Sequence, residues 1–205
     1  AELVVVEEVQ ETQPVRSEAS GLLAFMKIHG CILNPVSYVK DLVALLGQLG
    51  GRVVQAEVKD FDVSGGAVSA VETTEGRFEC DKAVIASGVW SKPLMGKLGI
   101  SVPLEAERGY HIVYKGPSEV PNNPMMLAEG KFVATAMNQG LRCAGIVEFG
   151  GLTEERSKAP LALLRKKVKA FFPRLEADGE EEWLGFRPAR TDLSLIHIAE
   201  PPARR

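Results

Sequence analysis

The stretch that decides the fold runs from Lys82 to Ser91 and reads Lys-Ala-Val-Ile-Ala-Ser-Gly-Val-Trp-Ser. Its first part, Ala83 to Ala86, is apolar on both faces, which is typical of a short strand buried inside a layered sheet. Ser87-Gly88 follows, and a turn with such small side chains lets the backbone approach a bulky ligand and donate N–H groups to it. The stretch therefore predicts a buried strand that ends in a binding turn, although a plain strand-to-helix turn would have the same pattern.

One helix and three strands are predicted on the N-terminal side of this stretch. Asn34-Pro35 begins the helix, because Asn caps a helix and Pro fits its first position, and Gly50-Gly51 ends it. Apolar residues between them keep helical spacing, so one face of the helix is expected to be buried. Strands are expected from Val53 to Phe61, from Val68 to Thr74 and from Gly76 to Cys80, forming an antiparallel meander.

Beyond Val102 the chain becomes rich in predicted strands, with polar or Gly-rich breaks that are spaced like hairpin loops. These strands are Leu104 to Tyr114, Pro124 to Ala128, Phe132 to Met137 and Leu141 to Phe149. A basic helix is predicted from about Glu154 to Phe172, and a last strand from Glu180 to Phe186. The pattern predicts a mixed α/β (α+β) chain with a sizeable antiparallel sheet.

Composition excludes several classes of protein. The 205 residues carry 24 Lys and Arg against 27 Asp and Glu, a formal charge of -3, and 45% are apolar. A protein that binds nucleic acid electrostatically would need a basic face, so no nucleic acid is expected as a partner. No apolar run approaches the roughly 20 residues of a membrane-spanning helix, and a chain this apolar is not expected to be disordered.

The motifs with well-defined chemistry are absent from the sequence. No two glycines are spaced two apart, which excludes a GxGxxG phosphate loop, and no Walker loop, HExxH or GxSxG occurs. The cysteines and histidines are all isolated in sequence, so we predict neither a metal site nor a disulfide framework. They are Cys31, Cys80, Cys143, His29, His111 and His197. Free thiols favour a reducing compartment, so a cytoplasmic location is expected, with peripheral membrane association of a longer parent protein left open.

The segment from Lys82 to Ser91 resembles the second flavin-binding segment of the FAD-dependent D-amino-acid oxidase/dehydrogenase superfamily. Four further segments resemble that family in the order that it requires. They are His29-Gly30 with Asn34-Pro35 and Tyr38, Gly51 to Val58, Arg108-Gly109-Tyr110, and Gly185-Phe-Arg-Pro188 with Asp192. Each motif alone is weak, but the ordered set extends from about Phe25 to Asp192.

The resemblance implies part of an FAD-binding, Rossmann-like layer together with an antiparallel-sheet substrate domain. The implied limits are 1–102 for the partial FAD domain, 103–182 for the substrate domain and 183–192 for a return to the FAD domain. FAD is the implied cofactor. Its implied contacts are Val58, Ala86, Ser87, Gly88, Trp90, Ser91 and Gly185.

The resemblance places Arg187 near the carboxylate of a small-molecule substrate, and a guanidinium fork suits a carboxylate. A solvated surface arginine is the alternative. Tyr110 is implied to shape the substrate pocket. Since strand residues alternate, His111 beside it is expected to be a packing or surface histidine.

The implied reaction oxidises an amino acid or related amine at the carbon α to its carboxylate, with hydride passing to the flavin. The cofactor carries the redox chemistry, and we predict no catalytic side chain. The electron acceptor and any partner subunit are not identified. A 2-hydroxy-acid oxidase or dehydrogenase of the hydroxyglutarate type is an alternative, as is a non-catalytic fragment without bound cofactor.

Two departures from the family pattern shape the expectation for this chain. The missing GxGxxG unit predicts a fragment of a longer oxidoreductase, and the isolated chain is expected to bind FAD poorly and to be inactive. The residues after Asp192 do not continue the family pattern, so 193–205 are expected to be a non-native tail.

Overall fold

The structure is a computed structural model that describes residues 32–190. It contains helices and antiparallel strands in the mixture that the sequence predicts. The helices are α1 (Pro35–Gln48), a 3-10 helix (Gly88–Trp90), α2 (Ser91–Lys97) and α3 (Lys158–Phe171). The strands are β1 (Val58–Ser64), β2 (Ala67–Thr73), β3 (Gly76–Glu79), β4 (Leu104–Lys115), β5 (Met125–Leu127), β6 (Phe132–Met137), β7 (Gly140–Phe149) and β8 (Gly179–Arg190).

The strands form two sheets. Strands β1, β2 and β3 pair in sequence order as an antiparallel meander, with Phe61 opposite Val71 and Val71 opposite Phe78. The larger sheet has the order β5-β6-β7-β4-β8, in which β5, β6 and β7 pair antiparallel. The predicted meander and the predicted antiparallel sheet are both confirmed.

The described residues divide into two compact units. One contains 32–53, 108–148 and 153–185, and the other contains 54–107, 149–152 and 186–190. Strands β4, β7 and β8 therefore contribute residues to both units. The domain limits expected from the resemblance stay a prediction.

The core of the first unit lies between α3 and one face of the larger sheet. Helix α3 buries Leu164 and Val168 against sheet residues such as Ile112 and Phe132. Phe132 is completely buried and meets the ring of Phe171 edge-on, with the ring centroids 5.8 Å apart. Aromatic rings bury large apolar areas, so this contact fixes the helix against the sheet.

The expectation that α1 buries its apolar face is wrong. Every residue of α1 is exposed, including Val36 at 58% and Leu46 at 44%. The helix forms because local signals suffice: Pro35 occupies its first position, and the Asn34 side chain accepts a hydrogen bond from the Ser37 N–H at 3.0 Å. Periodicity predicts which face is apolar, whereas burial also needs a partner surface.

The expectation of a buried strand at Ala83 to Ala86 is also wrong. Residues 82–87 belong to no strand, and Val84 is 89% exposed. A strand exists only where a neighbouring backbone completes its hydrogen bonds, and no such pairing occurs among residues 32–190. For the same reason β1 begins at Val58 rather than at Val53.

The two described cysteines are free thiols, as the sequence predicts: Cys80 is partly buried and Cys143 fully buried. Burial raises the pKa of the Cys143 thiol to about 12, so it stays protonated and unreactive. Cys31 lies outside the described residues. Between residues 32 and 190, no helix combines the length and apolar character needed to cross a membrane.

Candidate functional site

The predicted binding turn, Ser87 to Ser91, is stabilised by contacts among its own residues. The 3-10 helix leads directly into α2, and the Trp90 N–H donates to the Ser87 carbonyl oxygen at 3.1 Å. The hydroxyl oxygens of Ser87 and Ser91 lie 3.1 Å apart. Val89 is buried and anchors the turn, whereas Trp90 is 53% exposed. Of the residues that are predicted to contact the flavin in this turn, Ala86 and Trp90 are exposed, whereas Ser87, Gly88 and Ser91 are half-buried.

Gly88 gives this turn its shape. Its φ of 59° lies in the left-handed region that favours glycine. A Cβ added at Gly88 would meet no atom within 4 Å, so the backbone angle, and not crowding, requires the glycine. Ala86 beside it is exposed. This open, side-chain-poor surface fits the close approach of a bulky flavin to the backbone.

A ring contact connects this turn with the Gly-Phe-Arg-Pro segment of β8. The rings of Trp90 and Phe186 meet edge-on, with centroids 6.1 Å apart and an interplanar angle of 81°. Arg187 follows on β8, and its Nε lies 3.8 Å from the Glu107 carboxylate. Trp90 thus lies in the same unit as Phe186 and Arg187, which are far from it in sequence.

The guanidinium group of Arg187 is accessible to solvent. Its side chain is 59% exposed, and the 3.8 Å separation from Glu107 is long for a charge-assisted hydrogen bond. An exposed pair at this distance contributes little stability. A carboxylate ligand can therefore replace or share this contact at small cost.

Val58 and Gly185, the other two predicted flavin contacts, lie on strands of different sheets. Val58 is the first residue of β1, pairs with Thr73 and is half-buried, and α2 contacts this strand. Gly185 is buried on β8, in the unit that also contains Tyr110. Their contacts with a flavin stay predictions.

Tyr110 lies in a partly buried polar network. It is only 2% exposed, and its hydroxyl donates to Glu148 Oε2 at 2.7 Å. Ser157 Oγ donates to the same oxygen at 2.9 Å, and Arg108 Nε lies 3.5 Å from it. These two hydrogen bonds, and then the Arg108 charge, hold the pKa of Glu148 below its usual range. The tyrosine hydroxyl is thus committed to a protein carboxylate.

Sequence reasoning missed Glu148, Ser157 and Arg108 as a cluster. Arg108 is 5% exposed and also donates to the Glu155 carbonyl oxygen. The partners come from β4, β7 and the segment before α3, so their meeting depends on the strand order of the sheet. No local pattern marks it. β4 contains other polar residues as well, so the sequence of this strand does not single out Arg108.

His111 packs on the sheet, as its position beside Tyr110 predicts. Burial, and secondarily the nearby Arg142 charge, lower the pKa of His111 from 6.5 to about 4, against an opposing effect of Glu181. The folded protein therefore keeps the ring neutral at pH values where the unfolded chain protonates it.

This pKa predicts how stability depends on pH. The contribution of neutral His111 is fully present above pH 6.5 and is lost as the pH falls toward 4, because the unfolded state then binds the extra proton. We expect the urea midpoint to fall between pH 7 and pH 5, and to fall less in His111→Gln. Equal decreases in both proteins would contradict this assignment.

No group of three or more His, Cys, Asp or Glu side chains in the described part of the chain is arranged to hold a metal ion. A sequence model of the family described as "FAD dependent oxidoreductase" matches residues 2–203. The chain belongs to this family of FAD-dependent oxidoreductases.

Curated relatives of this FAD-dependent oxidoreductase chain are similar over most of its length. It is 35% identical to a D-amino-acid oxidase of Bradyrhizobium diazoefficiens over 78% of this chain and 39% of that protein. It is 28% identical to a D-amino acid dehydrogenase of Rhizobium rhizogenes over 81% of this chain and 42% of that protein. The chain thus spans about two fifths of the length of these relatives.

Solved structures share the fold. Glycine oxidase from Geobacillus kaustophilus superposes with a TM-score of 0.81 at 21% identity, over 100% of this chain and 55% of that one. L-proline dehydrogenase from P. horikoshii gives a TM-score of 0.76 at 16% identity, over 93% of this chain and 53% of that one. The chain therefore shares the fold of these two solved structures.

Proposed function

We propose that this chain forms part of a flavoenzyme that oxidises an amino acid at the carbon α to its carboxylate. The family membership and the D-amino-acid oxidase and dehydrogenase relatives support this class of reaction. When bound, FAD would supply the two-electron acceptor, and the protein would bind and orient the substrate.

The turn from Ser87 to Ser91 is the proposed flavin-binding element. Its open space beside Gly88 leaves the backbone accessible, and the Ser87 and Ser91 hydroxyls offer polar contacts. Exposed Trp90 adds an aromatic surface. Val58, Ala86 and Gly185 are proposed as further flavin contacts on the basis of the family resemblance.

Arg187 is the proposed anchor of the substrate carboxylate. Its exposed guanidinium offers two parallel N–H donors, which is the geometry that a carboxylate accepts. The long ion pair with Glu107 constrains this guanidinium only weakly. Tyr110 is proposed as a substrate-pocket residue on the basis of the family resemblance, and its hydroxyl donates to Glu148.

The contact between Trp90 and Phe186 carries this proposal. It connects the turn proposed for the flavin with the strand segment that holds Arg187, within one unit of the fold. Substrate oxidation requires the reacting carbon to lie next to the flavin, so an anchor for its carboxylate must lie near the flavin-binding element. The ring contact between Trp90 and Phe186 supports the proposal that the two elements serve one site.

Reduction of bound FAD by an amino acid, measured without oxygen, tests this function. The intact flavoprotein that contains the chain is mixed with D-alanine, and loss of the yellow flavin absorbance is followed. We expect D-alanine to bleach the flavin, while D-lactate leaves it oxidised. Bleaching by D-lactate but not by D-alanine would indicate the 2-hydroxy-acid alternative, and bleaching by neither would contradict both.

A further inference from the structure

The segment that leads into α3 is held on the larger sheet by a few polar contacts. This segment, residues 153–157, is called the α3 leader, and its first four residues are exposed. The Ser157 N–H donates to the Tyr110 hydroxyl oxygen at 3.3 Å, and Ser157 Oγ donates to Glu148 Oε2 at 2.9 Å. Since exposed residues bury little apolar surface, hydrogen bonds and charge dominate the attachment of the leader.

Arg108 connects the leader to Glu148. Its Nη2 donates to the Glu155 carbonyl oxygen, and its Nε lies 3.5 Å from Glu148 Oε2, the oxygen to which Tyr110 also donates. One guanidinium and one carboxylate oxygen therefore join β4, β7 and the leader, within one compact unit. The four side chains that make these contacts are called the clasp: Arg108, Tyr110, Glu148 and Ser157.

Ser157 serves the clasp and not the helix that it precedes. It is the N-cap residue of α3, yet its side chain makes no capping hydrogen bond within the described part of the chain. A capping side chain accepts from the second or third N–H of the helix. Pro160 occupies the third position and has no N–H, which removes one of these donors. The position of the leader therefore depends on Glu148 and not on a local cap.

The closed clasp has a cost that limits its stability. Arg108 is 5% exposed, and its Nε is a buried donor without a hydrogen-bond partner among residues 32–190. An unpaired buried donor is unfavourable, and a buried ion pair regains only part of the free energy lost when its two charges are dehydrated. Glu148, whose side chain is 31% exposed, can return to water when the clasp opens. Opening is therefore expected to require less free energy than unfolding of the sheet.

We propose that the clasp is a local conformational switch, which releases the α3 leader from the sheet while α3 and the sheet stay folded. Helix α3 stays attached through its own buried side, which includes Leu164 and Val168. Gly150-Gly151 precede the leader in sequence and allow the backbone to turn there. This switch goes beyond the proposed function and rests on the contacts above, although Tyr110 also belongs to the proposed substrate pocket.

Native-state proteolysis of the full 205-residue chain tests the proposal. Trypsin cleaves after Arg156, inside the leader, and mass spectrometry follows this one bond. Its cleavage rate, divided by the rate in the urea-unfolded chain, gives the open fraction. We expect low urea concentrations to leave this fraction nearly unchanged, because a local opening exposes little surface.

Two variants weaken the clasp to different degrees. Glu148→Gln removes the ion pair and is expected to raise the open fraction at least tenfold. Ser157→Ala removes one hydrogen bond and is expected to raise it about fivefold. Ser157→Ala keeps the buried ion pair, so it tests the clasp even where Glu148→Gln fails to fold.

Glu119→Gln is the matched control. Glu119 is also a carboxylate with a partly buried side chain, 18% exposed, and it pairs with Arg174 in the same unit. We expect it to leave cleavage after Arg156 unchanged within twofold. The proposal is overturned if Ser157→Ala or a folded Glu148→Gln has the open fraction of the parent, or if Glu119→Gln raises it equally. A cleavage rate that rises with urea as steeply as global unfolding would also overturn it.

Discussion

Arg187→Gln is expected to raise the KM for the amino-acid substrate about 100-fold, which corresponds to ~3 kcal/mol of lost binding free energy. The variant removes both the charge and the paired donors that hold the carboxylate. Glutamine retains a polar group of similar length, so the strand should remain intact. Steady-state kinetics on the flavin-loaded protein measure the effect, and the flavin absorbance per protein is expected to stay within 20% or so of the parent value, since Arg187 is proposed to contact substrate and not cofactor.

Arg174→Gln is the matched control for this variant. Arg174 is also exposed, at 74% of its side chain, and pairs with Glu119 at 3.3 Å. Loss of such a surface pair has little effect on stability, and we expect an unchanged KM. If Arg187→Gln and Arg174→Gln had the same KM, Arg187 would be a solvated surface arginine and the proposed anchor would be wrong.

Tyr110→Ala is expected to lower the free energy of unfolding by about 4 kcal/mol, as truncation of a buried aromatic residue typically does. Tyr110 is 2% exposed and belongs to the core between α3 and the sheet. Tyr110→Phe keeps the ring and loses only the buried hydroxyl, so we expect a decrease of about 1 kcal/mol. Urea unfolding measures both values.

The same pair of variants tests how Tyr110 acts on substrate. Because the Tyr110 hydroxyl donates to Glu148, Tyr110→Phe is expected to change the KM less than about threefold. This corresponds to less than ~1 kcal/mol of substrate binding free energy. Tyr38→Phe, at an exposed helix position, is the control and should leave stability unchanged. A large KM increase in Tyr110→Phe without loss of stability would show that the hydroxyl binds substrate directly.

Local signals in the sequence were sufficient for much of this fold. The Asn34-Pro35 start of α1, the turn at Gly88 and the hairpins of the larger sheet follow from capping, glycine conformation and alternation. Each of these is decided by neighbouring residues. The order of the motifs along the chain likewise indicates the family, and the family model confirms it.

Features that depend on distant partners could not be predicted in this way. Val84 is apolar, yet exposed, because strand formation requires a neighbouring backbone and not only an apolar sequence. The Glu148 network and the stacking of His111 on Trp183 join residues from different strands, and nothing local to either residue specifies its partner. The sequence predicts which side of a helix or strand a residue lies on more readily than it predicts which distant residue will contact it.

The binding of FAD to Gly88→Ala tests the central claim, that the turn from Ser87 to Ser91 holds the flavin. A Cβ at this position meets no protein atom within 4 Å, so the folded protein loses only about 1 kcal/mol through the left-handed backbone angle. Gly96→Ala is the control, because Gly96 lies in α2 with equally open space and no left-handed angle. We predict that Gly88→Ala weakens FAD binding at least tenfold in the intact flavoprotein, while Gly96→Ala binds FAD like the parent. Full FAD affinity in a folded Gly88→Ala protein would contradict the account.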